Sequence, residues 1–339
     1  MSNSVSIQSL KEYEEANWSV VLAKAFKDPV QLLRFLHLDE DMYLKQLKSD
    51  SQFKMLVPLS YAKKMKKRDW GDPLLRQVLP LEQEDILTEG FGADPVGDLN
   101  AEISSGLLQK YQGRVLLVTT GACPVHCRYC FRREFPYSQS NPDKKQWQTT
   151  LSNIEKDKSI NEVILSGGDP LMLSDKRLSY MCDDLSQIQH IKTIRFHSRV
   201  PVFLPERITI DFLAWLENLS FQKVMVIHSN HANEIDDKVR DGLISLRAAG
   251  VTVLNQTVLL KGVNDSVDVL SALSKRLFEF QVLPYYLHQL DRVQGTAHFE
   301  VDRAEAIELL RSLKNQLPGY LVPRLVEEIS GKRSKQGIE

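Results

Sequence analysis

Cysteine is scarce in this chain. Four occur in 339 residues, and three of them crowd into Cys123–Cys130. They are too few and too bunched for a framework of bridges, which excludes a disulfide scaffold. An excess of one charge is also missing: Lys and Arg number 43, Asp and Glu 44, for a net charge of −1. No global field therefore draws the chain to nucleic acid or to an anionic membrane. No apolar run is long enough to span a bilayer. The first residues, Met1-Ser2-Asn3-Ser4-Val5, lack the basic and apolar regions of a secretory signal. What remains is an ordinary soluble composition, 42% apolar and 26% charged, in a chain long enough to bury a large core. The expected compartment is the cytoplasm, where thiols stay reduced.

The crowded cysteines carry the first chemical signal. Cys123, Cys127 and Cys130 are spaced C-x3-C-x2-C, directly after the apolar run Arg114-Val115-Leu116-Leu117-Val118. Soft thiolates on one short loop suit three irons of a cubane cluster, leaving the fourth iron open for chemistry. The alternative is a structural zinc site with His126 as fourth ligand. Zinc spacings pair one C-x2-C with a distant second pair, which this sequence lacks. His126 also lies between two of the cysteines, where a tight loop can hardly aim four side chains at one ion. Cys182 stands alone in a helical stretch and reads as a small core residue.

Two rhythms divide the chain. Up to about residue 105 the pattern is mostly helical: Trp18, Val21, Leu22, Ala25 and Phe26 recur at helical spacing, and Pro58–Met65 suggests a further helix. The basic run Lys63-Lys64-Met65-Lys66-Lys67-Arg68 reads as a solvated face, or else a contact for an acidic partner. From about 109, β-branched runs alternate with helical stretches. The strands fall at Val115–Thr120, Val163–Ser166, Ile194–His197, Val224–His228, Val251–Thr257 and Val282–Tyr286. The helices between them fall at 146–157, 175–188, 208–219, 236–249 and 266–280, with another at 302–316. Such βα repetition implies a parallel sheet with right-handed crossovers. Six units are too few for a closed eight-stranded barrel. The expected fold is therefore α/β, a partial (β/α)6 barrel with an N-terminal helical extension. The division is 1–105, 106–320 and a tail at 321–339, and Leu317–Pro323 reads as extended. Chemistry is expected at the strand C-termini, where Cys123, Ser166, His197, His228, Gln256 and Tyr286 fall.

The cysteine loop after the first strand, followed by Ser166-Gly167-Gly168-Asp169-Pro170 after the second, resembles the radical S-adenosylmethionine (SAM) superfamily. More specifically, the chain from about 70 to 335 is similar to the lysine 2,3-aminomutase family. The resemblance runs through Cys130-Phe131-Arg132-Arg133, Ser198-Arg199-Val200-Pro201-Val202, Leu204–Thr209 and His228–Glu234. It continues through Asn255–Asp265, Pro284-Tyr285-Tyr286 and Gly319–Pro323.

The resemblance implies a [4Fe-4S] cluster on Cys123, Cys127 and Cys130, with SAM chelated to its open iron. Ser166, Gly167, Gly168 and Asp169 would stand beside the methionine end of SAM, with the glycines giving close backbone approach. It also implies pyridoxal 5′-phosphate (PLP) bound to a lysine near the C-terminus. Lys335 matches that lysine, and Lys332 is the runner-up. Arg114 is assigned to the PLP phosphate, because a guanidinium fork suits phosphate. His228 and Gln256 belong to the cofactor pocket. Arg132 matches the holder of the substrate carboxylate, Asp291 one of two carboxylates for the lysine ε-ammonium, and Glu328 the second.

The chain departs from the family in three places. The glycine run before the PLP lysine is Ser330-Gly331-Lys332-Arg333-Ser334, the second carboxylate is Glu, and little follows Lys335. The implied activity is isomerisation of L-lysine to (R)-β-lysine, in the bacterial branch that supplies modification of elongation factor P. The implied partners are that factor and its lysyl-transferring ligase, with a homodimer as the family expectation. Aminomutases of arginine or glutamate would share all but the end clamp, and acidic Asp291 and Glu328 argue against glutamate.

Overall fold

Short β-branched runs form the strands, and capped amphipathic stretches return the chain between them. In the computed structural model, which describes residues 17–41, 53–137 and 144–339, ten strands form one sheet in sequential order. They are β1 (Glu102–Ser104), β2 (Leu107–Leu108), β3 (Arg114–Val118), β4 (Glu162–Ser166) and β5 (Thr193–Ser198). The rest are β6 (Gln222–His228), β7 (Val251–Val258), β8 (Leu283–His288), β9 (Arg324–Glu327) and β10 (Gln336–Gly337). Strands β3 to β9 run parallel, while β1, β2 and β10 extend the two edges antiparallel. The two edges do not pair with each other among the described residues. The sheet is thus the expected partial barrel, one parallel strand longer than the sequence pattern showed.

The connecting helices are α1 (Lys144–Lys156), α2 (Asp175–Ser186), α3 (Ile210–Asn218), α4 (Asp237–Ala248), α5 (Val267–Glu279) and α6 (Arg303–Gln316). Ser174, Thr209, Asp236, Ser266 and Asp302 cap α2 to α6, each side chain accepting an amide of the first turn. Helix α2 shows why such a stretch packs: Leu178, Met181, Cys182 and Leu185 recur on one face and are buried. Cys182 is a core residue, as its setting predicted.

Two expectations change. Leu317–Pro323 is not extended. Gly319–Leu321 forms a 3-10 turn between Pro318 and Pro323, and β9 starts only at Arg324. The helix expected over Pro58–Met65 covers Leu59–Ala62. The basic run beyond it is not uniformly solvated. The Lys64 side chain is buried and donates to the carbonyls of Val202 (2.9 Å) and Glu234 (2.8 Å).

The N-terminal region shares its core with the sheet: Leu32, Leu33, Tyr61, Leu74 and Leu75 join Val163, Leu165, Ile194 and Phe196 in one cluster. The chain's last residues are also built in, since β9 pairs with β8 and β10 with β9. Part of the helical pattern predicted for the N-terminal region falls at 1–16 and 42–52, outside the described residues.

Candidate active site

Side chains alternate across a strand, and the inner set here lines one cavity of about 580 Å³. Arg114, Leu116, Ile164, Ser166, Arg195, His197, His228, Gln256, Val258, Tyr286, His288 and Arg324 project into it from β3 to β9. The cysteine loop, Gly167, Gly168, Asp169, Arg132, Asp291, Glu328 and Lys335 complete the wall. Every residue singled out from the sequence as a ligand or substrate contact therefore meets here. Lys332 does not: it is exposed and absent from the lining.

The cysteine loop is held by its surroundings. The amide of His126 donates to Leu56 (3.1 Å) and that of Arg128 to Gln77 (2.9 Å). Buried Arg128 donates through Nε to Glu84 (2.7 Å), which also takes Arg133 (2.9 Å). The glycines after β4 are explained by this loop. At Gly167 (φ +122°) an added Cβ would lie 2.5 Å from the Thr120 carbonyl, and at Gly168 2.4 Å from that of Ala122. Both positions need glycine because the cysteine loop crosses them. The amides of Gly168 and Asp169 donate to those same carbonyls at 2.7 and 2.8 Å. The Asp169 carboxylate accepts from Leu171 N, Ser198 Oγ, Arg199 N and Val200 N. It thus ties the end of β4 to the end of β5. Burial still pushes its carboxyl up to about 6.

All three loop cysteines are free thiols. Burial, with their mutual charge, raises the Cys123 thiol and lifts that of Cys130 to about 11. Thiolates so crowded require a cation to form. Among the described residues no three His, Cys, Asp or Glu groups converge on a single ion. A cubane puts each thiolate on a different iron, so its ligands need not meet at one point. The partners of His126 lie outside the cysteine loop. Its Nδ1–H donates to the Lys54 carbonyl (2.7 Å) and its ring stacks on Phe53 at 5.3 Å.

A chain of charges crosses the wall. Arg132 donates through Nη1 to Ser166 (3.1 Å) and through Nε to Asp98 (2.6 Å), leaving Nη2 without a hydrogen bond among the described residues. Lys110 bridges Asp98 (2.5 Å) and Glu328 (2.8 Å), and Glu328 also pairs with Lys335. Burial opposes ionisation of Glu328, yet Lys335 and Lys110 hold its carboxyl at about 2. Asp291 has the opposite balance. Burial pushes it up to about 7 against the attraction of Lys335, with no side-chain hydrogen bond among the described residues. Asp98 and Lys110 carried no sequence signal, since their partners lie far along the chain.

Neutral imidazoles surround Lys335. Burial, followed by the charges of Arg199 and Lys335, brings His228 down to about 3. His197 and His288 are lowered well below the usual range by burial and neighbouring cations. Gln256 Nε2 contacts His228 Nε2 at 2.5 Å. His288 is buried and its Nε2 has no hydrogen-bond partner among the described residues. It was missed, although it lies two residues beyond Tyr286 on the same strand face. Arg114 sits over Tyr111 at 4.9 Å, inside the barrel rather than on a strand-edge surface.

Comparison with known proteins places this geometry. The radical SAM superfamily profile matches residues 117–271. An L-lysine 2,3-aminomutase of Haemophilus influenzae is 44% identical over 322 residues, 95% of each chain. Those of Escherichia coli and Buchnera aphidicola are 43% and 40% identical, covering 98% and 97% of this chain and 97% of each relative. The chain belongs to the L-lysine 2,3-aminomutase family. It is a radical SAM isomerase, and the family's cofactors are a [4Fe-4S] cluster, SAM and PLP. The residues present fit that set: three crowded thiols, a glycine turn against them, and a lysine and an arginine in one cavity. Among the described residues no helix is long and apolar enough to cross a membrane.

Proposed function

We propose that this aminomutase converts L-lysine into (R)-β-lysine, exchanging the amino group on C2 with a hydrogen on C3. The observation that carries this is the polarity of the cavity. Among the described residues, a guanidinium edge, Arg132 Nη2, makes no hydrogen bond at one side, and the Asp291 side chain makes none near Lys335 at the other. The pair suits a molecule with a carboxylate at one end and an ammonium at the other.

When bound, the three cofactors supply the radical and the π-system over which nitrogen migrates. Cys123, Cys127 and Cys130 hold the cluster, and Ser166, Gly167, Gly168 and Asp169 form the adjoining wall for SAM. Arg114 would hold the PLP phosphate, and His228 and Gln256 line the same cavity. Lys335, paired with Glu328 here, would hold PLP through Nζ, which is nucleophilic only when deprotonated. Glu328 and Asp291 are the two carboxylates that would hold the ε-ammonium. The neutral imidazoles of His197, His228 and His288 add no cation to repel it.

The protein works in a reducing cytoplasm as a homodimer, and its product passes to the ligase that modifies elongation factor P. This placement rests on the family branch and on the small-molecule chemistry of the cavity. The test is anaerobic protein with SAM, PLP, a reductant and L-lysine, analysed by chiral chromatography with mass detection. (R)-β-Lysine is expected. Its absence, from protein with full iron and PLP, overturns the lysine reading, and arginine or a lysylated protein becomes the substrate to test.

A further inference from the structure

One face of the cysteine loop rests on a buried polar network drawn from four parts of the chain. Tyr61 and Gln77 come from the N-terminal region, Tyr129 from the loop, Arg199 from the end of β5, and Asn230 and Glu234 from beyond β6. Arg199 is 7% exposed. Its Nη1 lies 2.8 Å from Cys127 Sγ and also donates to the Tyr129 hydroxyl, while Nη2 reaches Gln77 Oε1 at 3.4 Å. The guanidinium packs over Phe203 at 4.2 Å.

The arrangement of opposite charge is uneven. Glu234 is 3.7 Å from the guanidinium, farther than the sulfur. That carboxylate has donors of its own, Gln77 Nε2 at 2.7 Å and the Asn230 amide at 3.2 Å. A buried cation needs a close compensating charge. Of Cys127 Sγ and the Glu234 carboxylate, the sulfur of the cluster ligand lies nearer to this one.

We infer that Arg199 tunes the iron–sulfur cluster: its fixed charge, donated to Cys127 Sγ, raises the potential at which the cluster accepts an electron. The electron comes from an external low-potential one-electron donor. No protein bond forms or breaks, and the cluster becomes more negative by one charge. A cation at hydrogen-bond distance in a dry environment stabilises that extra charge, and hydrogen bonds to cluster sulfurs act in the same direction. Arg199 is a positioning residue in this role, because it acts through Cys127 and not on the substrate. The inference rests on the cluster reading.

The test uses full-length, anaerobically reconstituted holoenzyme with iron and sulfide quantified. The midpoint potential is read by dithionite titration followed by electron paramagnetic resonance. Arg199→Gln should keep its iron and shift the midpoint negative. Arg199→Lys, which retains the charge without the fork, should fall between that variant and wild type. Glu234→Gln removes the opposing charge and should shift the midpoint positive. A purely structural disturbance has no reason to move the two charge variants in opposite directions. Coincident midpoints in iron-replete Arg199→Gln and wild type would overturn the inference. Should Arg199→Gln fail to assemble, Glu234→Gln decides, and an unchanged or negative shift there is equally fatal. Wild type that never takes up iron overturns the cluster reading and this inference with it.

Discussion

The cavity has two unlike ends. Around the cysteine loop, the carboxylates have fixed partners: both Asp169 oxygens accept two bonds each, and Glu84 holds Arg128 and Arg133 together. Around Lys335 the charges hold one another across the cavity. Glu328 pairs with Lys110 and Lys335, and the Asp291 side chain has no hydrogen bond among the described residues. The first end can only be built one way, because each buried group left unsatisfied costs about 1–3 kcal/mol. The second rests on ion pairs, Glu328 with Lys110 and with Lys335. Rigid support thus stands beneath the cysteine loop, while ion pairs between side chains stand around Lys335.

Substitutions at each end can break this contrast. The largest effect is expected at the fixed end: Cys127→Ser should lose cluster iron and reduce turnover to background, as metal analysis would show. At the other end, Lys335→Met should abolish bound-PLP absorbance, with Lys332→Met near wild type. Reversed results would put the wrong lysine in the cavity. Asp291→Asn should leave iron and PLP untouched while kcat/KM for lysine falls about 10²-fold, the scale of one lost charged hydrogen bond. Lys110→Met leaves Asp98 and Glu328 each short of a partner. Chemical denaturation should then show a loss of about 2 kcal/mol.

The smallest expected effect is a pH dependence. Asp291, raised to about 7 by burial, must be ionised to hold an ammonium. It gains its proton, and loses its charge, as pH falls through 7. Lysine affinity should therefore drop about tenfold from pH 8 to pH 6 and be flat in Asp291→Asn. A steep profile in that variant would assign the titration elsewhere.

The two ends also differed in how far the sequence revealed them. The cysteine spacing and the following Gly167-Gly168 are local signals, and both lie in the short loops they implied. The reason for the glycines was not local: they make room for the cysteine loop as well as facing the cavity. Strand β9 went unseen because four residues, two of them charged, carry too little periodicity beside two prolines. Asp98 and Lys110 lie in loop-like sequence, and only folding brings Lys110 to Glu328, 218 positions away. Arg199 lay within a family-like stretch with no role attached until Cys127 appeared 2.8 Å from it.

By itself the sequence determined the parallel βα order, the position of the cluster loop and the family. Each of these is written in periods and spacings of neighbouring residues, which local sterics and burial enforce. Only the tertiary structure decided which polar partners meet: Lys335 with Glu328, Lys110 with Asp98, Arg199 with Cys127. Electrostatic partners are chosen by distance in a dry interior, and distance along the chain carries no record of it.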